Sequence, residues 1–152
     1  MAFIGSLLLD PSMIPKVRHI LTTDDFYCGE NRILFAAILA LSDSFGKPGS
    51  YEQTSNWDVV ILRDHLQKTG NYRKIGGAAH LAEIINAVPV AYNAPHYAHI
   101  IKRHSLLRQI INASTETLHA AWNRQQEPKD IAYRARMQFG KIMEGETNGK
   151  PA

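Results

Sequence analysis

The sequence holds little of what several classes of protein require. It has one cysteine, Cys28, in 152 residues, so an internal disulfide is impossible. No apolar run approaches the ~20 residues that cross a bilayer. The opening MAFIGSLLLDPSMIPK lacks the basic start and the small-residue cleavage site of a signal peptide. We therefore expect a cytoplasmic protein, in a reducing setting, with no membrane partner.

A phosphate loop is also missing. That loop needs G-x-x-x-x-G-K followed by Ser or Thr, because backbone N–H groups, a lysine and a magnesium-binding hydroxyl act together. The Gly-Lys pairs at Gly46, Gly140 and Gly149 are followed by Pro, Ile and Pro, and none has a glycine five positions earlier. We expect no catalytic residues, no cofactor and no nucleotide hydrolysis in this chain alone.

Histidines, cysteine and paired carboxylates are present, but not in a catalytic or metal-binding pattern. His96 and His99 could share a helix face with His104, yet no cysteine or carboxylate stands beside them and H-E-x-x-H is absent. We interpret Cys28 as a small semi-buried thiol and Asp24–Asp25 as helix-capping residues. No metal site is expected.

The charge is uneven along the chain. The net charge is +3, and residues 101–152 carry nine Lys and Arg against five Asp and Glu, whereas residues 1–100 carry eight against nine. This excess permits contact with an acidic partner or with DNA, through residues such as Lys102, Arg103 and Arg108. The alternative is a solvated helix face. A small DNA-binding protein that uses the basic last third is therefore one hypothesis.

Strand signals are weak, and apolar residues recur at helical spacing. Phe3, Ile4, Leu7 and Leu8 form one apolar face. A second helix is predicted from an Asp10 N-cap, with Pro11 at its first position and apolar residues continuing to Leu21. The most hydrophobic helix follows, within ENRILFAAILALSDSF. Its stripe comprises Ile33, Leu34, Ala37, Ile38 and Leu41.

The middle of the chain contains a polar loop and two further helices. Gly46–Asn56 is rich in Gly, Ser and polar residues and is typical of an exposed loop. WDVVILRDHLQKTG predicts a helix that Gly70 could close, although Val59–Ile61 also permits a buried strand. Gly76–Gly77 then precedes another apolar-periodic helix that Pro89 ends. This glycine pair could bind an anion or simply turn the chain into the helix, and the absence of a partner lysine favours the turn.

The longest periodic segment, Asn93–Trp122, predicts a helix of about 45 Å. Its apolar stripe comprises Tyr97, Ile100, Ile101, Leu107, Ile110, Ile111, Leu118 and Trp122. RQQEPKD predicts a turn, and a shorter helix follows with Ile131, Ala135, Phe139 and Ile142. The predicted fold is all-α, with a compact multi-helix head at 1–103 and a protruding antiparallel helical hairpin at 104–145, continuous with the head through the long helix. Residues 146–152 are expected to begin a linker or tail.

Four segments together resemble the N-terminal domain of the DnaB family of replicative DNA helicases. They are GSLLLDP, DDFY followed by NRILFAAILAL, IGGAAHLAEIINAVP, and YAHIIKRHSLLRQII, in this order and spacing. The resemblance covers about Ile4 to Gly145. Gly49–Asn56 departs from it as an insertion, and the acidic residues that precede GSLLLD in the family are mostly missing.

The resemblance implies a non-catalytic domain whose hairpins pair into a ring-shaped collar of dimers within a hexamer. It also implies docking of the primase's helicase-binding domain, a possible helicase loader, and weak or indirect DNA contact. ATP and magnesium are expected only in the helicase domain of a parent enzyme. The related fold of the primase's own helicase-binding domain is a further alternative, which the motifs disfavour.

Seven hairpin residues are predicted to form the interaction surface. Leu107, Ile110, Ile111, Leu118 and Trp122 are assigned to self-association, and the exposed charges Arg108 and Arg124 to a primase. The alternative for each apolar residue is packing within its own hairpin.

Overall fold

The computed structural model describes residues 2–45, 57–87 and 91–147, and within those ranges it contains seven α-helices and no strand. The helices are α1 (Ala2–Leu9), α2 (Ile14–Val17), α3 (Gly29–Phe45), α4 (Val59–Lys68), α5 (Gly77–Asn86), α6 (Ala94–Asn123) and α7 (Pro128–Thr147). Short 3-10 turns lie at Pro11–Met13, Thr23–Asp25 and Ala91–Asn93. The all-α prediction is confirmed. The Gly49–Asn56 insertion and Pro89 lie outside the described residues.

The second predicted helix is divided in two. Asp10 does act as an N-cap, since its Oδ1 accepts a hydrogen bond of 3.0 Å from the backbone N–H of Ser12. The capped element, however, is the 3-10 turn Pro11–Met13, and α2 then ends at Val17. Pro15 explains the division, because proline has no N–H and is tolerated only in the first turn of a helix. The expected continuation as helix to Leu21 is therefore wrong, although Leu21 is buried.

The C-terminal end of α4 follows the sequence prediction, and its N-terminal end is capped by Asp58. Asp58 Oδ1 accepts hydrogen bonds from the backbone N–H groups of Val60 and Ile61, at 2.9 and 3.0 Å. Gly70, with a φ of +69°, follows the C-cap residue Thr69. The alternative of a buried strand at Val59–Ile61 is wrong, because the Asp58 cap supplies the partners that start a helix.

Three phenylalanines form the centre of the head. The rings of Phe3, Phe26 and Phe35 lie with centroids 5.0 to 5.9 Å apart, and all three side chains are buried. Trp57, just before α4, joins the same core. Phe35 lies beside the predicted stripe of α3 and is also buried. The head therefore covers α3 over more of the helix circumference than a single stripe requires.

The glycine pair Gly76–Gly77 turns the chain into α5. Both residues have positive φ, +84° and +65°, and Gly76 is the N-cap. A side chain at Gly76 would place its Cβ 3.0 Å from Cβ of His80. The conformation favours glycine, so the turn prediction is confirmed.

α6 and α7 form an antiparallel hairpin. Pro95 lies in the first turn of α6, as predicted. Near the base, a Cβ at Gly145 would lie 3.7 Å from Cδ2 of Leu106. Further out, Nε2 of Gln138 donates to Oε2 of Glu116 at 2.6 Å. The N-terminal part of α6 packs on α1 and α2, so one helix belongs to both the head and the hairpin.

Candidate interaction surface

The buried side chains of α6 are all small. Ala94, Ala98, Ser105 and Ala113 are its buried residues. Ala94 and Ala98 belong to the core of the head, and Ser105 hydrogen-bonds Asp25. α7 carries the half-buried Ile131, Ala135, Phe139 and Ile142, the apolar residues that the sequence assigned to this helix. The larger apolar side chains of α6 at 107, 110, 111, 118 and 122 are not among its buried residues.

Those larger side chains lie on the outer face of α6. We call Ile100, Leu107, Ile111, Leu118 and Trp122 the outer stripe. They follow one another at steps of seven, four, seven and four residues, which keeps them within an arc of about 60° at 3.6 residues per turn. Their exposed fractions are 42%, 47%, 62%, 57% and 76%, in that order. Ile110, beside the stripe, is 39% exposed.

The exposure bears on the alternative that these residues pack within their own hairpin. None of Leu107, Ile110, Ile111, Leu118 and Trp122 is buried against α7. Two of the outward residues of α7, Tyr133 and Met137, are also exposed and stand one helical turn apart. Clustered apolar side chains of this kind mark surfaces at which proteins associate.

A buried polar joint ties the head to α6 at the base of the stripe. The Asp25 carboxylate is buried and accepts hydrogen bonds from the Thr22 backbone N–H at 2.8 Å and from Lys102 Nζ at 3.2 Å. Burial acts to raise the pKa of Asp25, but the bonds from Thr22 and Ser105 and the charge of Lys102 outweigh it and hold that pKa below its usual value. We call Thr22, Asp25, Lys102, Ser105 and Arg108 the polar joint.

Arg108 belongs to this joint and is not a free surface charge. Its Nη2 donates to the backbone carbonyl of Asp25, and its guanidinium lies 5.8 Å from the ring centroid of Tyr27. The expectation that Arg108 is an exposed hairpin charge is therefore wrong, because the turn that precedes α3 lies against it. Arg124 differs, since it is exposed at the tip and ends α6 with a φ of +52°.

The polar joint weakens the DNA-binding hypothesis. Lys102 is held by Asp25 and Arg108 by the Asp25 carbonyl, which leaves Arg103 as the exposed member of that trio. Phosphate binding by Lys102 or Arg108 would break bonds that attach α6 to the head. A continuous basic face of the kind that neutralises several phosphates is not formed by these three residues.

A notch opens where the turn before α3 meets α6. It has a volume of about 540 Å³, and its walls include Asp24, Tyr27, Arg32, Arg108 and Ile111. We call it the stem notch. Tyr27 is 81% exposed there, and the guanidinium of Arg32 donates to the Phe26 carbonyl at 3.1 Å. Ile111 belongs to both the outer stripe and the stem notch.

The other sequence candidates do not come together as a site. In the described part of the chain no three of His, Cys, Asp and Glu are grouped to hold a metal ion. His96, His99 and His104 are exposed. Cys28 is exposed as well, so its expected half-burial is wrong: the turn ahead of α3 carries it outward. None of the helices that the structure describes has the length and apolarity needed to cross a bilayer.

Comparison with known proteins identifies a family and several relatives of this chain. The family model described as the DnaB-like helicase N-terminal domain matches residues 1–103. The chain is 31% identical over 130 residues to the replicative DNA helicase DnaC of Bacillus subtilis, covering 86% of this chain and 27% of that protein. It is 30% identical over 136 residues to the replicative DNA helicase DnaB of Leifsonia xyli, covering 90% and 28%.

A solved structure has the same fold. The crystal structure of the N-terminal domain of DnaB helicase from Mycobacterium tuberculosis superposes with a TM-score of 0.78 at 29% identity, and it covers 92% of both chains. The chain spans about a quarter of the length of the curated relatives just described. Together with the head and hairpin described above, these matches show that the chain belongs to the DnaB-like helicase N-terminal domain family.

Proposed function

We propose that this chain is the N-terminal assembly module of a replicative DNA helicase and that its hairpin associates with other copies through the outer stripe. The observation that carries the proposal is the exposure of five large apolar side chains along one face of α6. Water contact with this surface is unfavourable, and burial gains about 25 cal/mol for each Å² of apolar area removed from water. Pairing of two stripes would supply that burial and build a dimer on the way to a hexamer.

Catalysis is assigned to another part of the parent protein. The relatives named above are helicases, and most of their length lies outside the region that matches this chain. ATP and magnesium would bind in that remaining part, and the module itself would hold no cofactor and catalyse no reaction. It would work in the cytoplasm, with the replication machinery, and its contact with DNA would be weak or indirect.

Self-association is tested by placing a charge on the outer stripe. Leu118→Asp buries a carboxylate in the pairing surface, so we expect a monomer with unchanged helicity. His119→Asp is the matched control, because it adds the same carboxylate to an exposed residue one position along and about 100° around α6. The mass is measured by light scattering and the helicity by circular dichroism.

Two results would contradict this proposal. If Leu118→Asp unfolds the chain, the residue belongs to the intramolecular core. If both variants keep the mass of the parent chain, the outer stripe is not the pairing surface. Ile111→Asp is a weaker choice for this test, because Ile111 also lines the stem notch.

Primase docking is the second part of the proposal. The helicase-binding domain of a primase would contact the hairpin, and Arg124 is the charge available to it, since Arg108 is held by the head. Calorimetric titration with the primase C-terminal domain from the same source is expected to give a defined stoichiometry, and Arg124→Glu to weaken binding. If the primase domain does not bind the folded dimer, primase docking is not a role of this chain. A helicase loader is a further possible partner.

A further inference from the structure

The stem notch combines flat, amide and charged side chains in one cavity. Its volume of about 540 Å³ lies within the range of small-molecule sites, which is about 300–1,000 Å³. Apolar contact with a second stripe would use Ile111 but none of the polar groups around it. Those groups suit a ligand that has both a flat ring and polar edges.

Two flat side chains form a stacking platform in the notch. The guanidinium carbon of Arg108 lies 5.8 Å from the ring centroid of Tyr27, and Tyr27 is 81% exposed. The backbone carbonyl of Asp25 accepts a hydrogen bond from this guanidinium and so fixes its position. Nucleobases stack on exposed aromatic rings and on guanidinium planes. The platform therefore suits a planar heterocycle.

Two amide side chains of α6 line the notch beside this platform. Nε2 of Gln109 donates to the Ser105 hydroxyl at 3.3 Å, which leaves the carbonyl oxygen of that amide as an acceptor. Asn112 is exposed, and its side chain makes no hydrogen bond to another residue that the structure describes. Amides pair with the mixed donors and acceptors along the edge of a nucleobase. A purely apolar ligand would leave both amides unused.

The notch also holds one carboxylate and one guanidinium that lack ion-pair partners. Asp24 and Arg32 are exposed, and neither forms a salt bridge within the described ranges. Nη2 of Arg32 donates to the Phe26 carbonyl at 3.1 Å, and the remaining N–H groups of this guanidinium can hold an anion. The Asp24 carboxylate accepts hydrogen bonds and donates none, so it suits adjacent N–H groups on a base. Guanine presents such a pair at N1 and N2, and adenine does not.

We propose that the stem notch binds a guanine nucleotide, either free or as one unit of a single strand. The base stacks on Tyr27 and Arg108, its N1 and N2 groups donate to Asp24, and Arg32 holds the phosphate. The nucleotide is bound and released unchanged, so it is a ligand and not the cofactor of a reaction. One stacked unit needs no continuous basic face, and the site does not depend on self-association.

Titration of the isotope-labelled chain with GMP, followed by nuclear magnetic resonance, tests the site. We expect shifts confined to residues around the notch and a dissociation constant below about 1 mM. AMP lacks the pair of donors and should bind about tenfold more weakly. Guanosine lacks the phosphate and should also bind about tenfold more weakly. Equal binding of AMP and GMP would overturn recognition of guanine by the notch.

Two variants test the stacking contact and the contact with the base edge. Tyr27→Ala should raise the GMP dissociation constant about tenfold, because base–aromatic stacking is lost. Tyr133→Ala is the matched control, since it removes an exposed tyrosine of α7 outside the notch and should leave the constant within about twofold. Asp24→Asn should weaken GMP about tenfold and AMP less than about threefold, whereas Glu30→Gln, outside the notch on α3, should change neither.

Circular dichroism confirms that each of these four variants is folded. If Tyr27→Ala and Tyr133→Ala have the same effect on the GMP dissociation constant, the base does not stack in the notch. If Asp24→Asn weakens GMP and AMP equally, the carboxylate does not read the base. Either result would overturn the proposed mode of binding.

A second titration separates the two sources of the nucleotide. The single-stranded trinucleotide d(TGT) is compared with GMP, and d(TAT) is the control for the base. Tighter binding of d(TGT) than of GMP would identify a unit of a single strand as the ligand, and tighter binding of GMP would identify the free nucleotide. Equal binding of d(TGT) and d(TAT) would overturn guanine recognition.

The GMP titration is repeated on Leu118→Asp to separate this inference from the proposed function. Leu118 lies outside the notch, so the variant retains the site whether or not it still associates. Binding of GMP to Leu118→Asp would support the nucleotide site, whatever the mass of either protein. If notch residues shift in neither the parent chain nor Leu118→Asp at about 5 mM GMP, the nucleotide site is overturned and the outer stripe is unaffected.

Discussion

At the scale of single residues, the Asp25 carboxylate connects two segments that are distant in sequence. Thr22 and Asp25 close a short turn, and Lys102 reaches the same carboxylate from 77 positions along the chain. Removal of one partner leaves the other buried and unpaired, which costs more than the loss of an exposed pair. The polar joint should therefore contribute to the stability of the head and to its attachment to α6.

Asp25→Asn is expected to lower the free energy of unfolding by about 1–3 kcal/mol, the range for hydrogen bonds to charged groups and for a buried donor left unsatisfied. Asp43→Asn is the matched control. Asp43 pairs with Arg18 at 3.0 Å, but both side chains are about half exposed, so the loss should be below about 1 kcal/mol. Urea unfolding at pH 7 measures both. Equal losses would mean that the joint is no stronger than a surface pair.

The pH dependence of unfolding has a definite sign at Asp25. Its folded-state pKa is held below the usual aspartate value, so the unfolded chain binds the proton more readily. The stabilisation from Asp25 is therefore complete above about pH 5 and is lost as the pH falls through the folded-state pKa. The stability difference between the parent chain and Asp25→Asn should shrink below about pH 4. Urea titrations from pH 7 to pH 3 check this, and a gap that widens on acidification would contradict it.

The sequence predicted the capping role of Asp25 but not its contacts with α6. Asp24–Asp25 were interpreted as capping residues, and Asp25 does accept a hydrogen bond from the Thr22 backbone. Its contacts with Lys102 and Arg108 depend on how α6 crosses the head, which no local pattern encodes. The same reason explains why Arg108 was expected to be exposed. The stem notch was missed entirely, because its walls come from two segments about 80 residues apart.

At the scale of elements, two glycines should respond in opposite ways to substitution by alanine. Gly76 has a φ of +84° and meets His80 Cβ at 3.0 Å, so Gly76→Ala should lower the free energy of unfolding by about 1–2 kcal/mol. Gly140 lies inside α7 with nothing within 4 Å of an added Cβ. Gly140→Ala should raise the free energy of unfolding by about 0.5–1 kcal/mol.

Thermal melts of the two alanine variants provide the measurement, with the shifts expected in opposite directions. A stabilised Gly76→Ala would mean that the turn into α5 tolerates a side chain. A destabilised Gly140→Ala would mean that the outer side of α7 is covered by another chain, which a melt at several protein concentrations would reveal.

Helical periodicity predicted the elements better than their limits. The stripes in α3, α6 and α7 correspond to helices, and α4 ends beside the Gly70 that the sequence indicated, whereas its Asp58 N-cap was not predicted. α2 was overextended because the apolar periodicity continues to Leu21, whereas the helix ends at Val17. Phe35 and Trp57 were missed because stripe counting favours one helix face and ignores residues outside helices.

At the scale of the whole molecule, the predicted limit between head and hairpin at residue 103 remains to be tested. Ser105 and Arg108, which complete the polar joint, lie beyond it. A fragment of residues 1–103 should therefore be less stable than one of residues 1–112 by a few kcal/mol, because Asp25 loses partners and α6 loses its last contacts with the head. Urea unfolding of both fragments tests this. Equal stability would place the limit at residue 103.

The unbroken course of α6 fixes the rotational phase between head and hairpin. Each added residue turns everything beyond it by about 100° and moves it outward by about 1.5 Å. One residue inserted after Arg108 would keep the polar joint but swing Leu118 and Trp122 to another side of the molecule. A loop can accommodate an inserted residue without reorienting the segments it joins. In α6 the same insertion would change the direction in which a second subunit is placed. The number of residues in α6 thus sets the angle at which the hairpin presents its outer stripe relative to the head.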